Sequence, residues 1–401
     1  MPLEAYILEW LNLVLRWAHI ITGIAWIGSS FYFIWLDARL NVPPRDPESP
    51  DVAGDLWAVH GGGFYHSQKY KITPAQLPEP LHWFKWEAYW TWITGFMLLA
   101  IVYYFSADAL LVNPAAVDIG ATTAIVASIV LLPAGWFLYD GLCRLGLSGG
   151  RFALLGAALI LALCFCVSGL YGGRGAFMQI GAMLGTIMAA NVWRVIIPSQ
   201  KELVAAKLQG AEPNALLGAR AKQRSVHNNY LTLPVVFVMI SPHFPFTYAH
   251  KYNWLVLFVI FVAGALIRHY FNLRNKGRQV LALPVAAVVL GALLVAGLAP
   301  RTTGTASSAL APSRAVSFAE VRRIIRERCV TCHSATPTHP MSPVTAAGVA
   351  LDTPRDIRVW SQRIFERAAV TKTMPFANLT QMTDDERAMV ARWYASGAHT
   401  D

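Results

Sequence analysis

The sequence predicts an all-α protein, a bundle of about eight membrane-crossing helices followed by a small helical domain of about 85 residues. Two observations lead there. Hydrophobic residues make up 55% of the 401-residue chain and charged residues only 14%, against about 25% charged in globular domains. The apolar residues also fall into runs long enough to cross about 30 Å of hydrocarbon as helices. The net charge of +10 is spread over connections and tail, so it reads as membrane topology and docking surface, with no nucleic-acid partner.

The runs occupy 8–36, 85–106, 119–140, 152–172, 176–197, 228–243, 252–270 and 280–298. The sixth is short and carries Pro234 and Pro242, which interrupt or end a helix. The chain starts with Glu4 and Glu9 and no basic stretch, so the first run reads as a retained span rather than a cleaved signal. One set of connections is crowded with basic residues, from Arg39, Lys69 and Lys71 to Arg144, Arg151, Lys201, Lys222, Arg274 and Arg278. The opposite set holds Arg174 and Lys251. The crowded side is the cytoplasmic one, which places both ends of an eight-span bundle outside. Gly181, Gly185 and Ala189 recur every four residues, the spacing of close helix contact. Cys164 and Cys166 lie on different sides of one helix. The domains are therefore 1–299 in the membrane, 300–316 as a Ser/Thr/Ala/Pro-rich tether, and 317–401 outside.

The tail carries Cys329-Val-Thr-Cys332-His333. In a C-x-x-C-H motif two thiols attach a haem covalently and the adjacent imidazole ligates its iron. Met374, in Lys372-Thr373-Met374-Pro375, is placed to fill the sixth position. Met341 lies too close to the attachment site, and Met382 and Met389 lie too near or within the last helix. That helix opens on the capping box Thr383-Asp384-Asp385-Glu386 and closes at Gly397. Trp393 and Tyr394 are expected to pack on the first tail helix near Phe318, an arrangement resembling class I cytochromes c. The alternatives are a disulfide, a reduced thiol pair, or a zinc half-site completed by His339 and His399.

Four places in the membrane part carry chemistry. Arg16 and His19 lie one turn apart in the first span, and a small-residue face follows at Gly23. Intramembrane ionisable groups are functional candidates, and the face suits a b-type haem on His19, with His243 or His250 as partner. The alternative is a histidine hydrogen-bonded to a neighbouring helix. His60-Gly61-Gly62-Gly63-Phe64-Tyr65-His66, followed by Lys69, reads as a glycine loop whose backbone can approach a ligand. Trp83 and Trp86 read as an interfacial belt. Arg224, His227, Asn228 and Asn229 lead into the sixth span, and Arg268 and His269 reach the same face from the seventh. That set suits a planar anion; the alternative is lipid-headgroup contact and helix capping. His227, His60 and His66 are the candidate catalytic bases.

The stretch Trp17–Tyr32, the His60–Tyr65 loop and Ser225-Val226-His227-Asn228-Asn229-Tyr230 together resemble the bacterial membrane-bound urate oxidases, or urate hydroxylases. The resemblance covers nearly the whole chain. It implies oxidation of urate to 5-hydroxyisourate in purine breakdown, in the bacterial inner membrane. Electrons would leave through a periplasmic cytochrome c domain to a terminal cytochrome oxidase or a soluble cytochrome c. It carries haem attachment to Cys329 and Cys332 and axial ligation to His333 and Met374. Rival readings are a quinol oxidoreductase, a non-catalytic electron-transfer anchor and a transporter.

Overall fold

The computed structural model describes residues 3–41, 51–113, 117, 119–299, 316–339, 342, 345–370 and 372–400. Nearly all of the predicted tether, and Met341, lie outside the described residues. All eight apolar runs are helical. They form α1 (Leu3–Arg39), α2 (Trp86–Leu99), α4 (Ala121–Arg144), α5 (Gly149–Leu170), α6 (Gly173–Asn191), α8 (Ala215–Ile240), α10 (Asn253–Asn275) and α11 (Ala282–Leu298), with short α3 (Ala107–Leu110) and α9 (Pro245–Tyr248) between them. A π-helical turn, Val192–Ile196, joins α6 to α7 (Ile197–Leu208) as one continuous rod, and a second one, Ala100–Tyr104, extends α2. Five of these helices are long and apolar enough to cross a membrane by length and composition.

Two expectations are corrected. The chain is not purely helical: the supposed glycine loop is an antiparallel hairpin of β1 (Val52–His60) and β2 (Gly63–Tyr70). Gly61 and Gly62 form its turn at φ +58° and +81°, the left-handed pair that a two-residue hairpin turn requires. The sixth helix is also not short. It starts thirteen residues earlier than expected, at Ala215, where the Asn214 side chain caps the Leu216 amide. It runs straight through Pro234 to Ile240, so Arg224 to Tyr230 lie inside a helix rather than ahead of one.

The bundle core is built on α6, whose residues from Gly175 to Asn191 are mostly buried. Close packing explains this. Gly181 lies so near Val238 of α8 that a Cβ would overlap it, whereas Gly185 faces open space, so the small-residue stripe makes close contact at its first position. Cys164 is buried and Cys166 exposed, on opposite sides of α5.

The tail has its own core. In α12 (Phe318–Arg328), Val321, Ile324 and Ile325 fall on one face and pack against Val390 and Trp393 of α15 (Asp384–Ala395), with Phe318 and Trp393 ring centroids 6.3 Å apart. Between them lie α13 (Pro354–Val359) and α14 (Ser361–Ile364). The expected capping box is present on α15, and Gly397 ends that helix at φ +103°. Its Glu386 also takes the Arg328 guanidinium at 3.0 Å while being only 6% exposed. Burial alone would raise the pKa of this carboxyl. Hydrogen bonds from Arg328 and Thr383 outweigh burial and hold it below the ordinary glutamate value of 4.5. A depressed folded-state pKa stabilises above the unfolded value and loses that contribution as pH falls. Amide exchange over α15 is therefore expected to accelerate as pH drops from about 5 towards the folded-state value, after correction for intrinsic exchange. Glu386→Gln should flatten this profile, and an unchanged profile in the variant would refute the assignment.

Candidate functional site

Helix α8 is the hub of the helical bundle, because its polar residues project from two faces into two buried clusters. On the first face Arg224, 2% exposed, binds Asp140 of α4 at 2.6 Å and reaches Asn191 of α6 at 3.5 Å. Asn191 donates to Asn228 at 2.9 Å and to the Tyr139 hydroxyl at 3.1 Å, and Asn228 donates to the Met188 carbonyl at 2.9 Å. His227 stacks on Phe152 with centroids 4.4 Å apart and pairs through Nδ1 with the Tyr139 hydroxyl at 2.8 Å. Such burial rules out lipid-headgroup contact as the role of Arg224.

The second cluster lies where α8 meets α10 and α1. Arg268 Nε donates to Asn229 Oδ1 at 2.7 Å, Asn272 donates to the same oxygen at 3.2 Å, and the guanidinium lies 3.9 Å from the Phe31 ring centroid. Next to it Tyr230 and His269 are paired at 2.6 Å. The two arginines differ in one respect that matters. Arg224 is neutralised by Asp140, but among the described residues Arg268 has no carboxylate in ion-pair range. Asn229, fully buried, also leaves its Nδ2 without a partner. A buried donor left unpaired costs about 1–3 kcal/mol, which a ligand or water in this cluster would recover. Between Asn229 and the C-terminal end of α8 at Ile240 lie eleven residue steps, about 16 Å along the axis. The cluster therefore sits near the middle of α8 rather than at either end of it.

The hairpin histidines are elsewhere. His60 ends β1 and is exposed, and His66 stacks on Trp57 at 4.3 Å and pairs with Asp55 at 2.7 Å. Among the described residues no hydrogen bond, ion pair or ring contact joins either of them to the α8 clusters. Lys69 pairs instead with Asp37 at the end of α1, which also holds Lys222 of α8 at 2.7 Å. Burial and the neighbouring Lys222 hold the Lys69 amine below its usual pKa. This triad ties the hairpin to the bundle. Trp86 is 58% exposed at the start of α2, as a belt residue would be, whereas Trp83 packs inward.

His19 follows its alternative reading. Its Nδ1 meets the Thr91 carbonyl at 3.0 Å and the Thr94 hydroxyl at 3.1 Å, and its ring lies against Gly95, where a Cβ would sit 2.8 Å from Cε1. Arg16 bonds Asn12 on the exposed side of α1. His243 is exposed in the turn after α8, and His250 receives the Tyr252 amide at 3.2 Å. The described residues do not bring a second histidine to His19, so the proposed pair does not fit a b-type haem.

In the tail, Cys329, Cys332, His333, Met374 and Pro375 line one cleft of about 240 Å³. His333 Nδ1 lies 3.1 Å from the Val349 carbonyl; donation there fixes the ring and leaves Nε2 for a metal. The Met374 loop is pinned by Arg387, 6% exposed, which donates to the Met374 carbonyl at 2.7 Å and to Asn378 at 3.0 Å. Met382 is buried in the tail core. Cys329 and Cys332 are unbridged, and no three His, Cys, Asp or Glu side chains converge as a metal site among the described residues. His339 lines the same cleft without completing such a group, and the cleft has the donor set of a covalent haem with His and Met ligands.

Sequence reasoning missed Tyr139, Asp140, Asn191, Asn272 and Phe31. For Asp140 the signal was present, as an acidic residue at the end of the third apolar run.

No curated protein and no solved structure matches the chain. A family model described as Urate oxidase N-terminal matches residues 5–299, which spans the helical bundle and both α8 clusters, and the chain belongs to that family.

Proposed function

We propose that the protein is a multi-pass urate oxidase of the bacterial inner membrane that converts urate to 5-hydroxyisourate. In this reading it passes the electrons through a covalent c-type haem in a periplasmic tail. The acceptor beyond is a terminal cytochrome oxidase or a soluble cytochrome c. The observation that carries the reading is one chain holding both a family-matched bundle and a cleft lined by two cysteines, a histidine and a methionine, the donor types of a covalent haem. The reaction balances without peroxide: urate and water give 5-hydroxyisourate, two protons and two electrons. A haem bound in the tail supplies one-electron acceptance, so two transfers complete each turnover.

The chain's own residues bind and orient. Urate is a flat anion at neutral pH, and the second cluster offers an unneutralised guanidinium, a free amide donor on Asn229 and the aromatic ring of Phe31. His269, paired with Tyr230, stands beside this cluster to take a proton. The Arg224–Asp140 pair and its amides hold α8 in register against α4 and α6. His227, closed in by Tyr139 and Phe152, belongs to that scaffold. The position of Asn229 near the middle of α8 shortens the electron's path to the tail compared with a site at the cytoplasmic surface.

Anaerobic urate added to the detergent-solubilised full-length protein should reduce the haem, with two haems reduced per urate consumed. Reduction by a quinol but not by urate would overturn the proposal in favour of a quinol oxidoreductase.

A further inference from the structure

One contact ties the tail to the bundle beside the cleft. Phe376, two residues after Met374, lines the cleft wall and also packs against the bundle's hydrophobic core. The Arg174 guanidinium, at the start of α6, lies 5.7 Å from the Phe376 ring centroid and 5.9 Å from that of Tyr103, and its Nε donates to the Tyr103 hydroxyl at 3.3 Å. One cation is thus placed between an aromatic ring of the tail and one of the bundle. Tyr103 is 4% exposed, so the bundle side of this contact is fixed. A second tail residue, Arg367, lies close enough to Tyr248 of α9 to act on its hydroxyl electrostatically. Arg174, α3 and α9 all belong to the sparsely basic end of the bundle, so the tail touches the end that loop charge places outside.

We propose that the Phe376–Arg174 contact is the docking point at which the tail receives electrons from the membrane domain, with Arg174 as the residue that positions it. The inference rests on the haem reading of the tail. A haem held by Cys329, Cys332, His333 and Met374 would accept one electron at a time from the bundle side, and two such uptakes would match the two electrons of one urate. No bond forms or breaks at Arg174. It holds the two aromatic surfaces together, so its loss lengthens the gap without altering the haem.

The test uses the full-length holoprotein and the variants Arg174→Ala and Phe376→Leu. In stopped-flow measurements Arg174→Ala is expected to slow urate-driven haem reduction by about tenfold. Its reduction potential and its reduction by ascorbate should stay unchanged. Amide exchange over Phe376–Leu379 should accelerate in both variants. Unchanged urate-driven reduction in Arg174→Ala, or unchanged exchange in both variants, would overturn the proposal. If urate fails to reduce even the unaltered protein, the urate reading falls. The exchange measurement then still decides the contact: faster exchange supports docking for another electron source, and unchanged exchange ends it.

Discussion

Replacing Arg268 by glutamine is expected to lower kcat/KM for urate by roughly 10- to 150-fold, the loss of a charge-assisted hydrogen bond worth about 1.5–3 kcal/mol. The argument is electrostatic. Arg268 is 7% exposed and makes its contacts with amides and the Phe31 ring, so its charge is available to an anion, whereas that of Arg224 is already spent on Asp140. Glutamine keeps donors at the site and removes the charge, so the bundle should retain its thermal stability while urate binding weakens. Lysine keeps the charge but loses the planar fork that reaches Asn229 and stacks on Phe31, and should fall between the two. Anaerobic reduction of the haem by urate reads the effect, and ascorbate reduction provides the control. Undiminished urate turnover in the glutamine variant would remove this cluster from consideration.

How far the sequence revealed this arrangement depended on the range of the interactions. The helices were legible because a spanning segment must satisfy its backbone within itself and present an apolar surface, and both demands are written locally. The last helix of the tail was legible for the same reason: its capping box acts within one turn. The hairpin was misread because three successive glycines look the same in a loop and in a tight turn. The two-residue turn flanked by aromatic and β-branched residues, Trp57 and Val59 on one side and Phe64 and Tyr65 on the other, was the stronger signal. The early start of α8 was missed since charged and polar residues between Arg220 and Asn229 separate its first turn from the apolar stretch, and hydropathy marks the apolar part of a helix rather than where it begins. The site was legible only by half. Arg224, Asn229 and Arg268 stood out as polar groups near spans, but which arginine is neutralised depends on Asp140, 84 residues from Arg224. A pairing at that distance in sequence leaves no periodic trace.

The same pairing gives the largest expected effect on stability. Asp140→Ala leaves the Arg224 guanidinium 2% exposed with its charge uncompensated and its Nε already without a partner. Removing one member of a buried pair costs about 3–5 kcal/mol, because the other charge stays buried and unpaired. Part of this is recoverable by relaxation, since Arg144 also binds Asp140 at 2.6 Å but is 67% exposed and can turn to solvent. The single variant should therefore unfold in detergent at a markedly lower temperature than the unaltered protein. Asp140→Leu combined with Arg224→Met, which removes both charges and keeps apolar volume, should regain most of the loss. Its urate-driven haem reduction should also survive, because Arg268 and Asn229 are untouched. If the double variant is as unstable as the single one, the pair is not the source of the cost. If it is stable but no longer oxidises urate, then Arg224 belongs to the substrate site and the division of labour between the two faces of α8 is wrong.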